Sequence, residues 1–138
     1  MLTQHETIDV SDAASLGALR AAIAAAPRIA VDVETNAMYA YRGRLCFVQI
    51  ATGSQILITD MLAPGVGPEV FAEAFGDERK RKVFHDAQGD LRALARVGLS
   101  VRGLFDTHRA ATLLGIERVG LGDLVEARFG VKLAKEHQ

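Results

Sequence analysis

The chain has 138 residues, of which 49% are hydrophobic and 24% are charged. This balance is typical of one soluble globular domain, and a chain of this length has no room for separate catalytic and binding domains. Sixteen Lys and Arg against seventeen Asp and Glu give a formal charge of -1, which excludes a globally basic protein that coats a polyanion. Any affinity for nucleic acid must therefore be local.

The sequence predicts neither a membrane protein nor an exported one. Its longest purely apolar runs, such as residues 21–26, are far shorter than the ~18 to 20 residues that a membrane span requires. Residues 13–26 resemble the apolar region of a signal peptide, but acidic residues precede them and Arg20 interrupts them. We therefore predict a cytoplasmic protein without a membrane partner. The single Cys46 lies in an apolar stretch, which favours a buried structural thiol.

Helices and strands alternate along the predicted chain. Ser11 is a suitable N-cap, and the Ala- and Leu-rich stretch after it predicts a helix that ends before Pro27. Residues 28–33, 45–51 and 55–59 are predicted strands, the last two joined as a hairpin. The remaining elements are a loop over 64–68, a helix over 69–75, a strand over 82–84, a helix over 86–97 closed by Gly98, an apolar segment at 101–105, and helices over 107–114 and 121–129, the last ended by Gly130.

This order of elements predicts an α/β fold with a mixed β-sheet covered by helices. The hairpin supplies antiparallel strands, and the later strands return through helical crossovers, which makes them parallel. No repeat, low-complexity tract or linker divides the sequence. We expect one domain.

Two carboxylates lie side by side near the end of the first predicted strand. Asp32 and Glu34 are two positions apart in an apolar segment, so their side chains point to the same face of a sheet. Neighbouring carboxylates repel each other and lose hydration unless a cation lies between them. Mg²⁺ or Mn²⁺, which prefer oxygen ligands, suit such a pair best. The alternative is that the strand ends at Val33 and Glu34 is solvated in a loop.

A second group of candidate residues lies where the strand over 82–84 ends. Asp86 has the position of a helix N-cap, and Asp90 lies one turn further into that helix. Asp90 is either a functional acid or a surface acid that the helix dipole stabilises. His85 is a candidate base or phosphate ligand, although a hydrogen-bonded structural role is more common for such a histidine. For Asp106 we predict the N-cap of the next helix rather than a catalytic role.

Positive charge is concentrated in one stretch of the sequence. Such a run is usually a solvated face, but beside a carboxylate site it could hold phosphates. The basic residues of this stretch are Arg79, Lys80, Arg81 and Lys82, with Arg92, Arg96 and Arg102 beyond them.

The residues around these acids resemble, in order, the motifs of the ribonuclease D family. Residues 29–51, with Asp-Val-Glu-Thr followed by Arg-Leu-Cys-Phe-Val-Gln-Ile-Ala, resemble its first exonuclease motif, and residues 82–94 resemble its second. Phe-Asp-Thr at 105–107 and the segments at 110–115, 120–124 and 129–131 are similar to later parts of the family. This family is a branch of the DEDD exonucleases. The resemblance implies a ribonuclease H-like mixed sheet with helices on both faces.

The spacing of His85 and Asp90 also resembles the third motif of the proofreading exonuclease branch, in which the histidine is the general base. With that assignment, the acid of the second motif would have to lie between Glu34 and His85. Asp60 and Asp77 lie there, but the residues around them do not resemble that motif. The Phe-Asp-Thr segment favours the ribonuclease D branch.

The resemblance implies a 3′-5′ exonuclease that hydrolyses nucleic-acid 3′ ends with two Mg²⁺ or Mn²⁺ ions. Asp32 and Glu34 match the family's first two metal-binding acids, and Asp90 matches the third. The implied partner is a single-stranded 3′ end of RNA or DNA, with RNA favoured. We expect the nucleic acid to contact Thr35 and His85, which lie within the motifs. We also expect it to contact the basic residues Arg42, Arg44, Arg79, Lys80, Arg81 and Lys82.

One part of the family's pattern is absent from the sequence. Ribonuclease D-like proteins complete their site with Tyr-x-x-x-Asp on a later helix, whereas the tyrosines here are Tyr39 and Tyr41, near the first motif. Glu126 or Glu136 could replace the missing acid, but the residues around them do not match the Tyr-x-x-x-Asp motif. A site without one acid binds metal more weakly. We therefore expect an exonuclease domain over 1–138 that is incomplete at its C-terminal end. The alternative is a non-catalytic module that keeps the fold and binds nucleic acid or protein.

Overall fold

A computed structural model describes residues 5–38 and 41–134, which form six strands and five helices. No helix in these two ranges is long and apolar enough to cross a membrane. The strands are β1 (Glu6–Val10), β2 (Arg28–Thr35), β3 (Leu45–Ala51), β4 (Gln55–Asp60), β5 (Arg81–Phe84) and β6 (Leu104–Asp106). The helices are α1 (Ala13–Ala25), α2 (Glu69–Gly76), α3 (Gln88–Arg96), α4 (Thr107–Leu113) and α5 (Leu121–Phe129).

The six strands form one mixed sheet in the order β1-β4-β3-β2-β5-β6. Strand β3 is antiparallel to both β2 and β4, while β2, β5 and β6 are parallel to one another. The β3–β4 hairpin turns at residues 52–54, where the Thr52 hydroxyl accepts a hydrogen bond from the Gln55 N–H at 3.0 Å. The α/β class, the mixed sheet and the hairpin are confirmed.

Strand β1 is absent from the sequence-based assignment. It pairs in parallel with β4, with Ile8 opposite Leu57 and Val10 opposite Thr59. Its five residues show only a weak alternation of buried and exposed positions, because only Val10 is fully buried and the side chains of Glu6, Thr7 and Asp9 are exposed. A short edge strand of this kind takes its conformation from its neighbour, since few of its side chains enter the core.

The hydrophobic core lies on one face of the sheet. Alternate residues of the central strands, including Val31, Val48 and Ile50, point to this face and are 5% exposed or less. Against them pack one face each of α1, α2 and α3, through Leu19, Phe71, Phe75 and Leu94. The rings of Phe71 and Phe75, one turn apart on α2, stack at 5.2 Å, and both rings are buried in the core beneath the helix.

Helix α1 begins one residue later than predicted. Its N-cap is Asp12, whose carboxylate accepts a hydrogen bond from the Ser15 N–H at 2.8 Å, while the Ser15 hydroxyl accepts one from the Asp12 N–H at 3.1 Å. This reciprocal capping box satisfies donors at both positions. The prediction of Ser11 as the N-cap is therefore wrong. The expected burial of Cys46 is also wrong in degree, because its side chain is half-buried.

Candidate active site

Asp32 and Glu34 emerge from the second face of the sheet, opposite the core. In β2 they alternate with the inward-facing Val31 and Val33, so both carboxylates lie on one side, and both residues are exposed. Strand β2 continues to Thr35, two residues beyond the predicted end, which excludes the alternative that Glu34 lies in a loop. The face that the spacing predicted is confirmed.

Asp90 lies in the first turn of α3, close enough to both acids for their charges to act on it. Partial burial raises the pKa of Asp90, and the negative charges of Asp32, Glu34 and Asp86 raise it further, to about 7. Helix α3 packs against β2, which places Asp90 in the same region as Asp32 and Glu34. The structure therefore brings together the three acids that the sequence singled out.

No lysine or arginine among the described residues pairs with these carboxylates. Surrounding protein atoms partly desolvate the Asp32 carboxylate and raise its pKa, although the residue is exposed at the surface. The ranges that the structure describes contain no group of three His, Cys, Asp or Glu side chains already arranged to hold a metal. Asp32, Glu34 and Asp90 therefore form a negatively charged site.

Asp86 does not cap α3, contrary to the prediction. It has a φ of 57°, in the left-handed region, and the residue in the N-cap position is Ala87, whose side chain cannot accept a hydrogen bond. The acceptor is the carboxylate of Asp106, which binds the N–H groups of Asp86 at 3.0 Å and Ala87 at 2.9 Å. An acid twenty residues away therefore serves the start of α3, which a local pattern cannot reveal.

Asp106 also caps its own helix, as predicted. Its carboxylate accepts hydrogen bonds from the N–H groups of His108 at 2.9 Å and Arg109 at 3.3 Å at the start of α4. Burial alone would raise the pKa of Asp106, but the hydrogen bonds from Ala87, Asp86, Arg109 and His108 together hold it below the usual range. One carboxylate thus joins the starts of two helices.

His85 follows β5 and is half-buried beside the acids. Its Nδ1 lies 2.8 Å from the Thr107 hydroxyl oxygen, and that hydroxyl donates to the Phe84 carbonyl at 3.0 Å. The ring of His108 meets the ring of His85 edge to face at 5.5 Å. Neither Thr107 nor His108 is marked by the sequence as a site residue, because their proximity to His85 arises from the pairing of β5 with β6.

A cleft of about 1230 Å³ separates the second face of the sheet from the segment at 118–134. Asp32, His85 and Thr107 line it from the sheet side, and Glu126 lines it from α5. Glu126, one of the two acids considered as a replacement, forms an ion pair with Lys132 at 3.6 Å. Glu136 and Tyr39 lie outside the described residues, and Tyr41 is fully exposed.

Two lysines of the basic stretch have structural roles. Lys82 is completely buried, and its Nζ donates to the carbonyls of Ala74, at 3.0 Å, and Asp77. The Nζ of Lys80 donates to carbonyls at the end of α1, including that of Ile23 at 2.6 Å. The prediction that Lys82 contacts nucleic acid is wrong, because its side chain is buried and its ammonium group donates to backbone carbonyls at the end of α2.

The exposed arginines of this stretch lie at the wrong end of the sheet for the carboxylates. Arg81 pairs with Arg28 in β2, six residues before Glu34, which is ~20 Å along a strand. The guanidinium of Arg81 lies 5.6 Å from the Phe105 ring centre, and Arg79 pairs with Asp77 at 3.2 Å. The structure does not bring these arginines together with the acids.

Arg42 and Arg44, in contrast, lie at the acidic end of the sheet. The Asn36 side chain accepts a hydrogen bond from the Arg44 N–H at 2.6 Å, which closes the loop after Thr35. Both arginines and Thr35 are exposed. The sequence missed Phe47, which pairs with Glu34 across β2 and β3 and is 39% exposed on the same face. An exposed aromatic ring is a suitable surface for a nucleic-acid base.

The fold and the acids agree with a known family. Residues 7–138 match a family model described as 3′-5′ exonuclease. The chain belongs to this 3′-5′ exonuclease family. The predicted membership is confirmed, and the match extends over both motifs that carry the acids.

Several curated proteins are similar to this exonuclease domain. It is 36% identical over 132 residues to Protein RRP6-like 1 of Arabidopsis thaliana, covering 94% of this chain and 21% of that protein. It is 37% identical over 129 residues to Ribonuclease D of Sphingobium indicum, covering 91% of this chain and 33% of that protein. The chain thus spans about a fifth to a third of these curated relatives.

The architecture is shared with solved exonucleases. The catalytic core of RRP6 from Trypanosoma brucei superimposes with a TM-score of 0.91 and 34% identity, covering 100% of this chain and 38% of that one. This agreement confirms the mixed sheet and helices expected for the family. The roles of the individual site residues stay predictions.

Proposed function

We propose that this chain is an exonuclease domain that removes nucleotides from the single-stranded 3′ end of RNA by hydrolysis. The observation that carries the proposal is the meeting of Asp32, Glu34 and Asp90 at one end of the sheet, in a chain of the 3′-5′ exonuclease family. Each acid comes from one of the two motifs, and the fold places the motifs in contact through the pairing of β2 with β5.

The three carboxylates fit divalent cations. They are oxygen donors without ion-pair partners among the described residues, and partial burial together with the charges of the neighbouring acids raises the pKa of Asp90. We assign Asp32, Glu34 and Asp90 as ligands of Mg²⁺ or Mn²⁺, which when bound would activate water and stabilise charge on the phosphate. Glu34 and Asp32 hold their positions through the rigid strand β2, and Asp90 through the turn that Asp106 fixes.

The proposed substrate is RNA because the similar proteins are named ribonuclease D and RRP6, and RRP6 proteins are described among exosome exonucleases. Arg42 and Arg44 supply exposed positive charge at the acidic end of the sheet. Positive side chains there counter the repulsion between the substrate's phosphates and the carboxylates. Phe47, beside Glu34, offers a ring on which a base can stack.

A labelled single-stranded RNA tests the proposal. The protein should shorten a 5′-labelled strand one nucleotide at a time with Mn²⁺, and Asp32→Asn should abolish shortening while keeping the fold. The matched control is Asp9→Asn, which removes an exposed acid of β1 on the far edge of the sheet and should leave activity unchanged.

Two results would contradict the proposal. Binding of RNA without any shortening at saturating Mn²⁺ would instead support the non-catalytic module. Shortening that survives in Asp32→Asn would contradict the assigned acids. Calorimetric titration with Mn²⁺ separates these cases, because the wild type should bind the ion and Asp32→Asn should not.

A further inference from the structure

The Thr107 hydroxyl connects His85 to the backbone of β5. It lies 3.0 Å from the Phe84 carbonyl oxygen and 2.8 Å from His85 Nδ1. A hydroxyl has one proton, and a carbonyl oxygen can only accept. When the hydroxyl gives its proton to Phe84, its oxygen is left to accept, so the proton between Thr107 and His85 must belong to Nδ1.

This network assigns the tautomer of the imidazole ring. A neutral histidine protonated at Nδ1 has a free lone pair at Nε2. Within the described part of the chain Nε2 has no hydrogen-bond partner, and it is not one of the buried unpaired atoms, so it is open to solvent. His85 therefore presents a hydrogen-bond acceptor at the surface.

That acceptor lies in the cleft at the level of the acids. Val83 of β5 pairs with Ala30 of β2, and His85 follows Val83 by two residues as Asp32 follows Ala30. Both His85 and Asp32 line the same cleft. The edge-to-face contact with His108 limits rotation of the His85 ring.

We propose that Thr107 fixes His85 as a hydrogen-bond acceptor for a ribose hydroxyl of the nucleotide bound at the acids. This inference rests on the proposed function and makes His85 a specificity residue and Thr107 a positioning residue. Phosphate oxygens are acceptors and require a donor, whereas a ribose hydroxyl donates. A site built to receive a hydroxyl discriminates against analogues that lack it, because the bound nucleotide covers the acceptor and then leaves it unpaired. The neutral ring therefore recognises sugar rather than phosphate.

Nitrogen-15 NMR of the histidine rings tests the tautomer directly. At a pH where the imidazoles are neutral, the wild type should show Nδ1 protonated at His85, with the signal assigned by its loss in His85→Gln. Thr107→Val removes the hydroxyl at nearly constant volume and should shift the ring toward the Nε2-protonated form. Thr107→Ser keeps the hydroxyl and should retain the wild-type tautomer. An Nε2-protonated ring in the wild type, or no change in Thr107→Val, would overturn the proposal.

Binding of nucleotides tests the specificity. With Mg²⁺ present, the wild type should bind GMP about tenfold more tightly than the 2′-deoxy or the 3′-deoxy analogue, which is the effect of one hydrogen bond. The analogue that loses affinity identifies the hydroxyl. His85→Ala and Thr107→Val should reduce this preference, and Thr107→Ser should restore it, with circular dichroism confirming the fold of each variant.

Failure of this inference and of the proposed function are distinguishable. Equal wild-type affinity for GMP and both analogues, in a protein that shortens RNA, would overturn the role of His85 alone. A hydroxyl preference that depends on His85 and Thr107, in a protein that shortens no RNA, would support the inference and contradict only the exonuclease function.

Discussion

The Asp106 carboxylate accepts a hydrogen bond from the backbone N–H of Asp86 at 3.0 Å, and this bond ties the end of β6 to the turn before α3. The left-handed conformation of Asp86, with φ of 57°, costs roughly 1 kcal/mol for a residue other than glycine. Because α3 starts immediately after this turn, the bond also determines where Asp90 lies relative to Asp32.

Replacement of Asp106 by Asn should destabilise the protein by about 2 kcal/mol at pH 7, since a charged acceptor of four N–H groups becomes a neutral one. The hydrogen bonds lower the pKa of Asp106 in the folded state, against the effect of burial. Their contribution is therefore present above the unfolded pKa and disappears as the pH falls through the folded pKa. Urea unfolding at pH 7 and in steps down to pH 2 measures both effects.

The control for this experiment is Asp9→Asn, which removes an exposed acid of β1. It should change the unfolding free energy by less than about 0.5 kcal/mol at any pH. A deficit in Asp106→Asn that stays constant down to pH 2 would mean that charge contributes nothing to the capping.

Asp90 should make the protein less stable as the pH rises. Partial burial, followed by the charges of Asp32 and Glu34, raises the pKa of Asp90 from 3.8 to about 7. Between these values the folded state keeps a proton that the unfolded chain loses, so stability falls from about pH 4 to pH 7 and then levels. We expect Asp90→Asn to be more stable than the wild type at pH 8 by roughly 1 to 2 kcal/mol, after allowance for solvent screening.

Thermal unfolding across pH 4 to 8 without divalent ions measures this slope, and Asp32→Asn provides a matched second variant. It removes one of the charges that oppose ionisation of Asp90, so it should reduce the slope without abolishing it. If the stability of Asp90→Asn differs from that of the wild type by the same amount at every pH from 4 to 8, the acids do not interact as described.

Lys82→Met should destabilise the protein by about 2 to 3 kcal/mol, because the carbonyls of Ala74 and Asp77 lose a buried donor. Methionine keeps the length of the side chain, so little cavity forms. The folded variant should bind single-stranded RNA as tightly as the wild type. A selective loss of RNA affinity with unchanged stability would restore Lys82 as a nucleic-acid contact.

The two groups of arginines should differ in their effect on RNA binding. Arg42→Ala/Arg44→Ala should weaken binding and reduce the slope of log affinity against log salt by roughly 1.4, the value for two phosphate contacts on a single strand. Arg79→Ala/Arg81→Ala, at the other end of the sheet, is the matched double variant and should leave the slope unchanged. Fluorescence anisotropy with a labelled oligonucleotide supplies both slopes, and equal slopes for the two variants would contradict the assignment.

Local patterns in the sequence determined much of the fold. The shared face of Asp32 and Glu34 follows from the two-residue period of a strand, and the cap of α4 by Asp106 involves residues no more than three positions apart. The ends of α3 and α5 follow from Gly98 and Gly130, whose φ values of 82° and 68° suit glycine. Each of these features depends on a few consecutive residues.

Tertiary structure alone decided the features that join distant segments. The sequence predicts Lys82 as a basic surface residue, but in the fold its ammonium group donates to a carbonyl of α2. Strand β1 forms through its pairing with β4. The same is true of Asp106 at the turn before α3 and of Thr107 beside His85, which are separated by about twenty residues in the chain. These contacts depend on how the elements pack. A buried polar group requires a hydrogen-bond partner, and the partners here come from distant parts of the chain, which the periodicity of the sequence does not predict.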